Sequence, residues 1–271
     1  MSGNPRFSIV FVLGIAHSGS TLLGRMLDMH PDALCVGELL RLEEALANAN
    51  DKCSCGELLT TCPFWTRWRS RMPEKTQRDY TKLTVPLLDE LRVAENRKVL
   101  IDLSKTRGYR LAKRWRDARV GYIHIVRDPR GVFRSHLARG GELEARLKVH
   151  KKWIKRLTNF AGDNDRSLTV HYEDLVTSPE AVARRICKFL GLTFVRELLT
   201  PSAKVHHFVS SNRSAFLKTH DRFQLDERWR HELAAEQVAR ISDYLKSVPL
   251  YRDRYGLPGG SSPLPTPAFE H

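Results

Sequence analysis

The sequence predicts an α/β protein, a three-layer sandwich around a central parallel sheet. Four short apolar runs, Ile9–Leu13, Val99–Ile101, Val120–Val126 and Leu168–Tyr172, have the length and composition of strands buried on both faces. Helical patterns separate these runs, and strands alternating with helices specify a parallel sheet covered by helices. A glycine-containing turn, Gly14-Ile15-Ala16-His17-Ser18-Gly19-Ser20-Thr21, stands between the first run and a helix, the setting of a phosphate-binding loop.

Taken in order, the first strand starts by Phe7. After the loop, Leu22, Leu23, Met26 and Leu27 share one helix face, and that helix stops near His30-Pro31. Ala33–Val36 supplies a further strand position, followed by Gly37 and Glu38. Residues 39–96 carry no clear strand and are expected to form a helical insertion or lid. Gly131–Arg139, Leu143–Phe160 and Arg228–Lys246 read as helices. Pro179–Leu190 is another, with proline at its start and Gly191 just past its end. Residues 1–257 are expected to form one domain, and 258–271, rich in Pro, Gly and Ser, a disordered tail.

The chain has 271 residues, of which 41% are hydrophobic, enough for a core of this kind. No stretch approaches the ~18 apolar residues of a membrane span, and no signal peptide is recognisable, so a cytoplasmic protein is expected. Net charge is +14, from 45 Lys and Arg against 31 Asp and Glu. Such a surface attracts polyanions. The arginines are spread along helices and loops rather than gathered in a basic tail, so no nucleic-acid partner is expected.

The loop Gly14–Thr21 lacks the lysine of G-x-x-x-x-G-K-[ST], the group that reaches the β- and γ-phosphates; Ser20 stands in its place. The backbone cradle remains. Amides of Gly19, Ser20, Thr21 and Leu22 at a helix start would face an anion. A second anion site is expected where the strand Val120–Val126 ends. Arg127 lies at its carboxyl edge, where open α/β sheets bind ligands, and Ser135 lies two turns into the next helix. A guanidinium fork and a hydroxyl can converge there on one phosphate.

Together these segments resemble the sulfotransferase family. Gly14–Leu22 is similar to its 5′-phosphosulfate loop, and Arg127 with Ser135 to its 3′-phosphate site. Asp102-Leu103-Ser104-Lys105, Tyr172-Glu173-Asp174-Leu175, the Cys53-Ser54-Cys55-Gly56…Cys62-Pro63-Phe64-Trp65 segment and Asn212-Arg213 look like landmarks of bacterial members. The resemblance spans residues 7–256 and implies the P-loop NTPase-like sulfotransferase fold. It implies 3′-phosphoadenosine 5′-phosphosulfate (PAPS) as sulfonate donor, PAP as product, and no metal. Ser18, Gly19, Ser20, Thr21, Leu22, Arg127, Ser135, Tyr172 and Arg213 are the implied cofactor-binding residues, with Thr21 on the 5′-phosphate and Tyr172 near adenine.

The run His30-Pro31…Gly37-Glu38 resembles the segment that supplies the catalytic glutamate of tyrosylprotein sulfotransferases, which makes Glu38 the implied general base. Lys105 is the implied stabiliser of the leaving oxygen. Position 17 departs from the family pattern, with His17 where Lys or Arg is usual; phosphates beside it would raise its pKa. Glu38, Lys105 and His17 form the expected catalytic set. His30, His124 and His136 are competing bases that are expected to pack or cap locally. His206 and His207 are expected beside the acceptor pocket. The acceptor is left open among small molecules, carbohydrates, lipids and peptides. The alternatives are a nucleotide kinase with a degenerate loop and a non-enzymatic polyanion-binding protein.

Three of the five cysteines cluster as Cys53, Cys55 and Cys62. The C-x-C spacing and the lack of a nearby fourth ligand argue against zinc. A redox-sensitive or disulfide-closed loop and plain reduced thiols in a tight turn are the readings left.

Overall fold

The computed structural model describes residues 4–256 apart from 49, 80–81, 115–116 and 211–222. Five strands form one parallel sheet: β1 (Ile9–Gly14), β2 (Ala33–Cys35), β3 (Val99–Asp102), β4 (Val120–Val126) and β5 (Ser167–His171), in the order β2-β3-β1-β4-β5. Side chains alternate across the sheet with the two-residue period of a strand. Ile9, Phe11 and Leu13 face one helical layer, and Val10 and Val12 face the other.

The first layer holds α2 (Leu42–Ala47), α3 (Pro63–Ser70), α5 (Val85–Ala94) and α6 (Lys105–Ala112), reached through α1 (Ser20–Asp28) and with α4 (Glu74–Arg78) between α3 and α5. Its core includes Trp65, Trp68, Leu88 and Leu91. The opposite layer holds α1, α9 (Tyr172–Thr177) and α10 (Pro179–Leu190); α7 (Pro129–Leu137) and α8 (Leu143–Gly162) precede these two in the chain. A satellite core joins α7 and α8 to α12 (Ala235–Lys246) and α13 (Pro249–Tyr255), which follow the short α11 (Trp229–Glu232). The three-layer sandwich with a parallel sheet is therefore as expected. Among the described residues, no helix is long and apolar enough to cross a membrane.

Several element ends shift by one to three residues from the sequence reading, and some differences bear on the site. The strand expected to end at Tyr172 ends at His171, and Tyr172 opens α9. The helix expected over Arg228–Lys246 is two helices, α11 and α12. Residues 39–96 are helical as expected, but Lys52 and Leu58 also form an isolated antiparallel bridge around the cysteine-bearing turn. The expected tail and Asn212-Arg213 lie outside the described residues.

What the sheet does for the site is simple. All strands run the same way, so all five carboxyl ends open on one edge, the edge at which α/β proteins bind ligands. β1 delivers the Gly14 loop, β2 Glu38, β3 Lys105, β4 Arg127 and β5 Tyr172.

Candidate active site

Along that edge runs a cleft of about 1160 Å³, lined by His17, Gly19, Ser20, Thr21, Leu22, Glu38, Lys105, Arg127, Ser135 and Tyr172 among others. It exceeds the usual volume of a pocket for one small ligand, roughly 300–1,000 Å³. Eight arginine and lysine residues line it against four carboxylates, so the basic composition is concentrated where an anion would enter.

The loop after β1 has the geometry of an anion cradle. Gly19 is in the left-handed region (φ 90°) immediately before α1, and no side chain caps the helix. By helix geometry the first-turn amides have no intrahelical partner, and the helix dipole adds partial positive charge at the same point. A Cβ at Gly19 would lie 2.5 Å from the Tyr172 ring, so glycine is required both for conformation and for room. Ser18, expected among the ligand contacts, is buried away from the cleft lining, and its amide is engaged by the Ile15 carbonyl at 3.2 Å.

Arg127 is buried at the tip of β4. Its Nη1 donates to the His17 carbonyl (3.0 Å), and its Nη2 donates to the Asp226 carboxylate (3.1 Å) and carbonyl (3.2 Å). The guanidinium carbon lies 4.3 Å from the centre of the Tyr172 ring, at cation–π distance. Arg127 thus ties the Gly14 loop to the tip of β4 and to Tyr172 at the start of α9. Ser135 Oγ donates to the Gly131 carbonyl at 3.1 Å while facing the same cleft. Asp226 gave no signal in the sequence. Its pKa is depressed, first by the Arg228 side chain at 2.7 Å and then by Arg127, so it stays a carboxylate.

On the other side of the loop, Lys105 Nζ donates to Glu38 Oε1, and both side chains are mostly buried. The pair is assembled by Asp102, which ends β3. One Asp102 oxygen accepts from the Leu39 amide (3.2 Å) and the other from the Ser104 amide (2.6 Å). Ser104 Oγ in turn accepts from the Leu40 amide (3.1 Å). Asp102 and Ser104 therefore staple the Glu38 segment to the Lys105 segment. Burial pushes the Asp102 carboxyl up to about 7, against the pull of those two amides. Lys105 has φ 52°, a left-handed conformation unusual for lysine. Among the described residues, the non-glycine residues with positive φ are His17, Asn96, Lys105 and Ser210. All but Asn96 line the cleft, and backbone strain of this kind gathers at functional sites.

Burial, followed by the nearby His136, Arg139, Lys105 and Arg127, holds the His17 pKa down at about 3; the raised value was expected with phosphates beside the ring. Arg139, which the sequence reading missed, places Nη1 2.8 Å from His17 Nε2. The competing bases pack locally as expected. His30 bridges the Thr193 carbonyl (2.8 Å) and the Asp32 amide (3.0 Å), and His124 is fully buried in β4. His136 stands edge-on to His17, 4.7 Å between ring centres. His206 and His207, expected beside the acceptor, do not line the cleft. His206 Nδ1 lies 2.7 Å from buried Asp28, and His207 lies among the cysteines. The expectation that no fourth donor stands near those cysteines is corrected by His207.

Comparison with known proteins identifies the class. The model of the sulfotransferase family matches residues 9–196, and that of the sulfotransferase domain matches residues 147–251. The chain belongs to the sulfotransferase family, a family of enzymes. It is 27% identical over 211 residues to protein-tyrosine sulfotransferase 1 of Danio rerio, covering 70% of this chain and 54% of that protein. It is 28% identical over 148 residues to carbohydrate sulfotransferase 4 of Mus musculus, covering 45% of this chain and 38% of that protein. The chain thus spans about half the length, or less, of these curated relatives. Its fold is similar to the sulfotransferase domain from the curacin biosynthetic pathway (TM-score 0.61, 23% identity, 89% of this chain and 98% of that one). It is equally similar to that of the Synechococcus PCC 7002 olefin synthase (TM-score 0.62, 23% identity, 92% and 99%).

Proposed function

We propose that the chain transfers a sulfonate group from PAPS to a hydroxyl or amine of an acceptor. The observation that carries this reading is the Glu38–Lys105 contact beside the Gly14–Thr21 cradle: an acid–base group and a cation share one cleft with an anion site. A mouse sulfotransferase of the same fold, SULT7A1, was solved with PAP (TM-score 0.54, 11% identity), which agrees with this donor.

In this reading, the first-turn amides of α1 and Thr21 hold the 5′-phosphosulfate. Arg127 and Ser135 hold the 3′-phosphate, and Tyr172 flanks the nucleoside. Glu38 accepts the proton of the acceptor as its oxygen or nitrogen attacks sulfur. The bond between sulfur and the bridging phosphate oxygen breaks, and that oxygen keeps the electron pair. Lys105 stabilises the charge that develops there, which is where fixed positive groups act most strongly. PAP leaves with no phosphoryl group transferred, so the missing loop lysine costs the reaction nothing. The acceptor enters from the side of Arg41, Asp51, Lys52 and Ser210 and is a small molecule, a carbohydrate, a lipid or a peptide.

The test is calorimetric titration with PAP and with adenosine 5′-phosphate, followed by turnover with labelled PAPS against an acceptor panel. A clear preference for PAP and sulfonate transfer independent of added Mg²⁺ are expected. Equal affinity for the two nucleotides, or phosphoryl transfer from ATP, would overturn the reading.

A further inference from the structure

The cysteine cluster lies outside the chemistry assigned above, and its geometry is that of a metal site. Cys53, Cys55, Cys62 and His207 offer four donor atoms that all lie within 4.8 Å of one another. Cys55 Sγ is 3.8 Å from Cys62 Sγ. His207 Nδ1 is 3.7 Å from Cys53 Sγ and 3.5 Å from Cys62 Sγ. A zinc ion with Zn–S of about 2.3 Å and Zn–N of about 2.0 Å at tetrahedral angles requires edges of roughly 3.8 Å between sulfurs and roughly 3.5 Å between sulfur and nitrogen. These three separations lie at or within about 0.2 Å of those edges. They do not fit a disulfide, whose sulfurs stand about 2.05 Å apart, and all three cysteines are free thiols.

We propose that Cys53, Cys55, Cys62 and His207 bind one structural zinc ion, which fastens the helical segment after Glu38 to the late segment 206–210. Three thiolates and an imidazole fill a tetrahedral site and leave no open position, the pattern of a structural rather than a catalytic zinc. The backbone is shaped for it. The Lys52–Leu58 bridge closes a turn in which Cys53 donates its amide to the Glu57 carbonyl (2.8 Å) and Gly56 donates to the Cys53 carbonyl (3.0 Å). Gly56 has φ 102°, which lets Cys53 and Cys55 serve the same centre despite the C-x-C spacing. Cys62 immediately precedes α3, where helix-start amides favour a thiolate.

The fourth ligand comes from 145 residues beyond Cys62, which is why spacing could not reveal it. Its placement is held from both sides. The His207 ring stacks on Phe64 (5.1 Å between centres, 13° between planes). Ser54, between two of the cysteines, bonds both neighbours of His207. Its amide donates to the Phe208 carbonyl (3.1 Å), its hydroxyl donates to the His206 carbonyl (2.6 Å), and the hydroxyl accepts from the Phe208 amide (2.8 Å).

The position gives the ion a purpose. Asp51 and Lys52, just before the first ligand, and Ser210, just after the segment of the last, line the cleft. Val209 accepts from the Glu38 amide (3.0 Å) and donates to the Val36 carbonyl (3.2 Å). The ligand His207 is therefore two residues from Val209, whose backbone holds Glu38. The zinc shapes the acceptor side of the cleft without touching the nucleotide side.

Elemental analysis of the purified full chain tests this independently of any catalytic assay. One zinc per chain, retained through gel filtration, is expected. Replacement by Co²⁺ should give the intense visible bands of a tetrahedral ion and thiolate charge-transfer absorption. His207→Cys should keep the ion. Cys55→Ser and His207→Ala should weaken zinc affinity by more than the roughly 10–100-fold typical of losing a group that merely orients a ligand. A full chain that binds neither Zn²⁺ nor Co²⁺, a Co²⁺ spectrum without thiolate bands, or unchanged affinity in both Cys55→Ser and His207→Ala would overturn the proposal.

Discussion

The two halves of the cleft are built differently. On the β4–β5 side, Arg127, Ser135 and Tyr172 come from strand tips and adjoining helices, close in sequence to the elements that hold them. Their positive charge is already matched, because Asp226 sits on Arg127. On the β2–β3 side, Glu38 and Lys105 are held by long-range bonds through Asp102, Ser104 and Val209 and backed by the four-donor cluster. One half presents a buried guanidinium paired with an internal carboxylate. The other is an acid–base pair whose geometry depends on pieces far apart in the chain. If that division is functional, substitutions in one half should change turnover and those in the other should change nucleotide affinity.

The largest separation is expected from Glu38→Gln. Loss of a positioned base costs about 10²–10⁴-fold in turnover, while PAP affinity should stay within about twofold. Steady-state rates with labelled PAPS and a PAP titration on the same preparation decide it. Unchanged turnover would remove Glu38 as base and blur the two halves. Next comes Arg127→Ala. It removes a buried charge from the expected 3′-phosphate position, so PAP should bind about 10²-fold more weakly, about 2.7 kcal/mol, with adenosine 5′-phosphate little affected. Equal losses for both nucleotides would mean that Arg127 serves the loop, through the His17 carbonyl, rather than the 3′-phosphate.

The same division explains what the sequence could and could not reveal. The parallel sheet was legible because strands buried on both faces are continuous apolar runs, and the Gly14 loop because glycine and a strand–helix junction signal it locally. Arg127, Glu38 and Lys105 were placed on the cleft because each lies within a few residues of a strand tip, and Ser135 because it lies two turns into the helix after β4. Asp226 and Arg139 were not, since a surface-type Asp or Arg in a loop reads the same whether or not it folds onto a ligand site. His207 was misplaced for a related reason. Its role depends on a three-dimensional neighbour, and the C-x-C spacing turned attention away from the fourth donor. His17 lines the cleft, but its protonation depends on burial and on Arg139, Lys105 and Arg127, whose approach sequence order does not display.

A smaller effect sharpens the nucleotide half. Asp226 competes for the Arg127 donors that a 3′-phosphate would use. Asp226→Asn should leave the shape while removing the charge, and PAP should bind roughly three- to tenfold more tightly. The change corresponds to the usual net worth of one hydrogen bond, about 0.5–1.5 kcal/mol. Adenosine 5′-phosphate should gain little. Weaker PAP binding in the variant would show instead that Asp226 orients Arg127 productively.

The smallest effect expected concerns pH and falls on His17. With its pKa near 3, the free protein carries a neutral imidazole at neutral pH. A polyanion held by the adjacent amides stabilises the cationic form and raises the pKa in the complex. A group whose pKa rises on binding takes up a proton, so PAP affinity should increase as pH falls from 8 toward 6 by a few-fold. The phosphates' own protonation near pH 6 opposes this and appears equally in any variant. Subtracting the profile of His17→Gln from that of the natural chain therefore isolates the histidine. His17→Arg, which is charged throughout, should bind PAP tightly with the same shallow profile as His17→Gln. Identical profiles for all three would mean that His17 stays neutral in the complex, its charge blocked by Arg139 at 2.8 Å and by Lys105 and Arg127 behind it. The loop would then bind phosphosulfate through its amides and hydroxyls, with the permanent cations around it supplied by Arg139, Lys105 and Arg127.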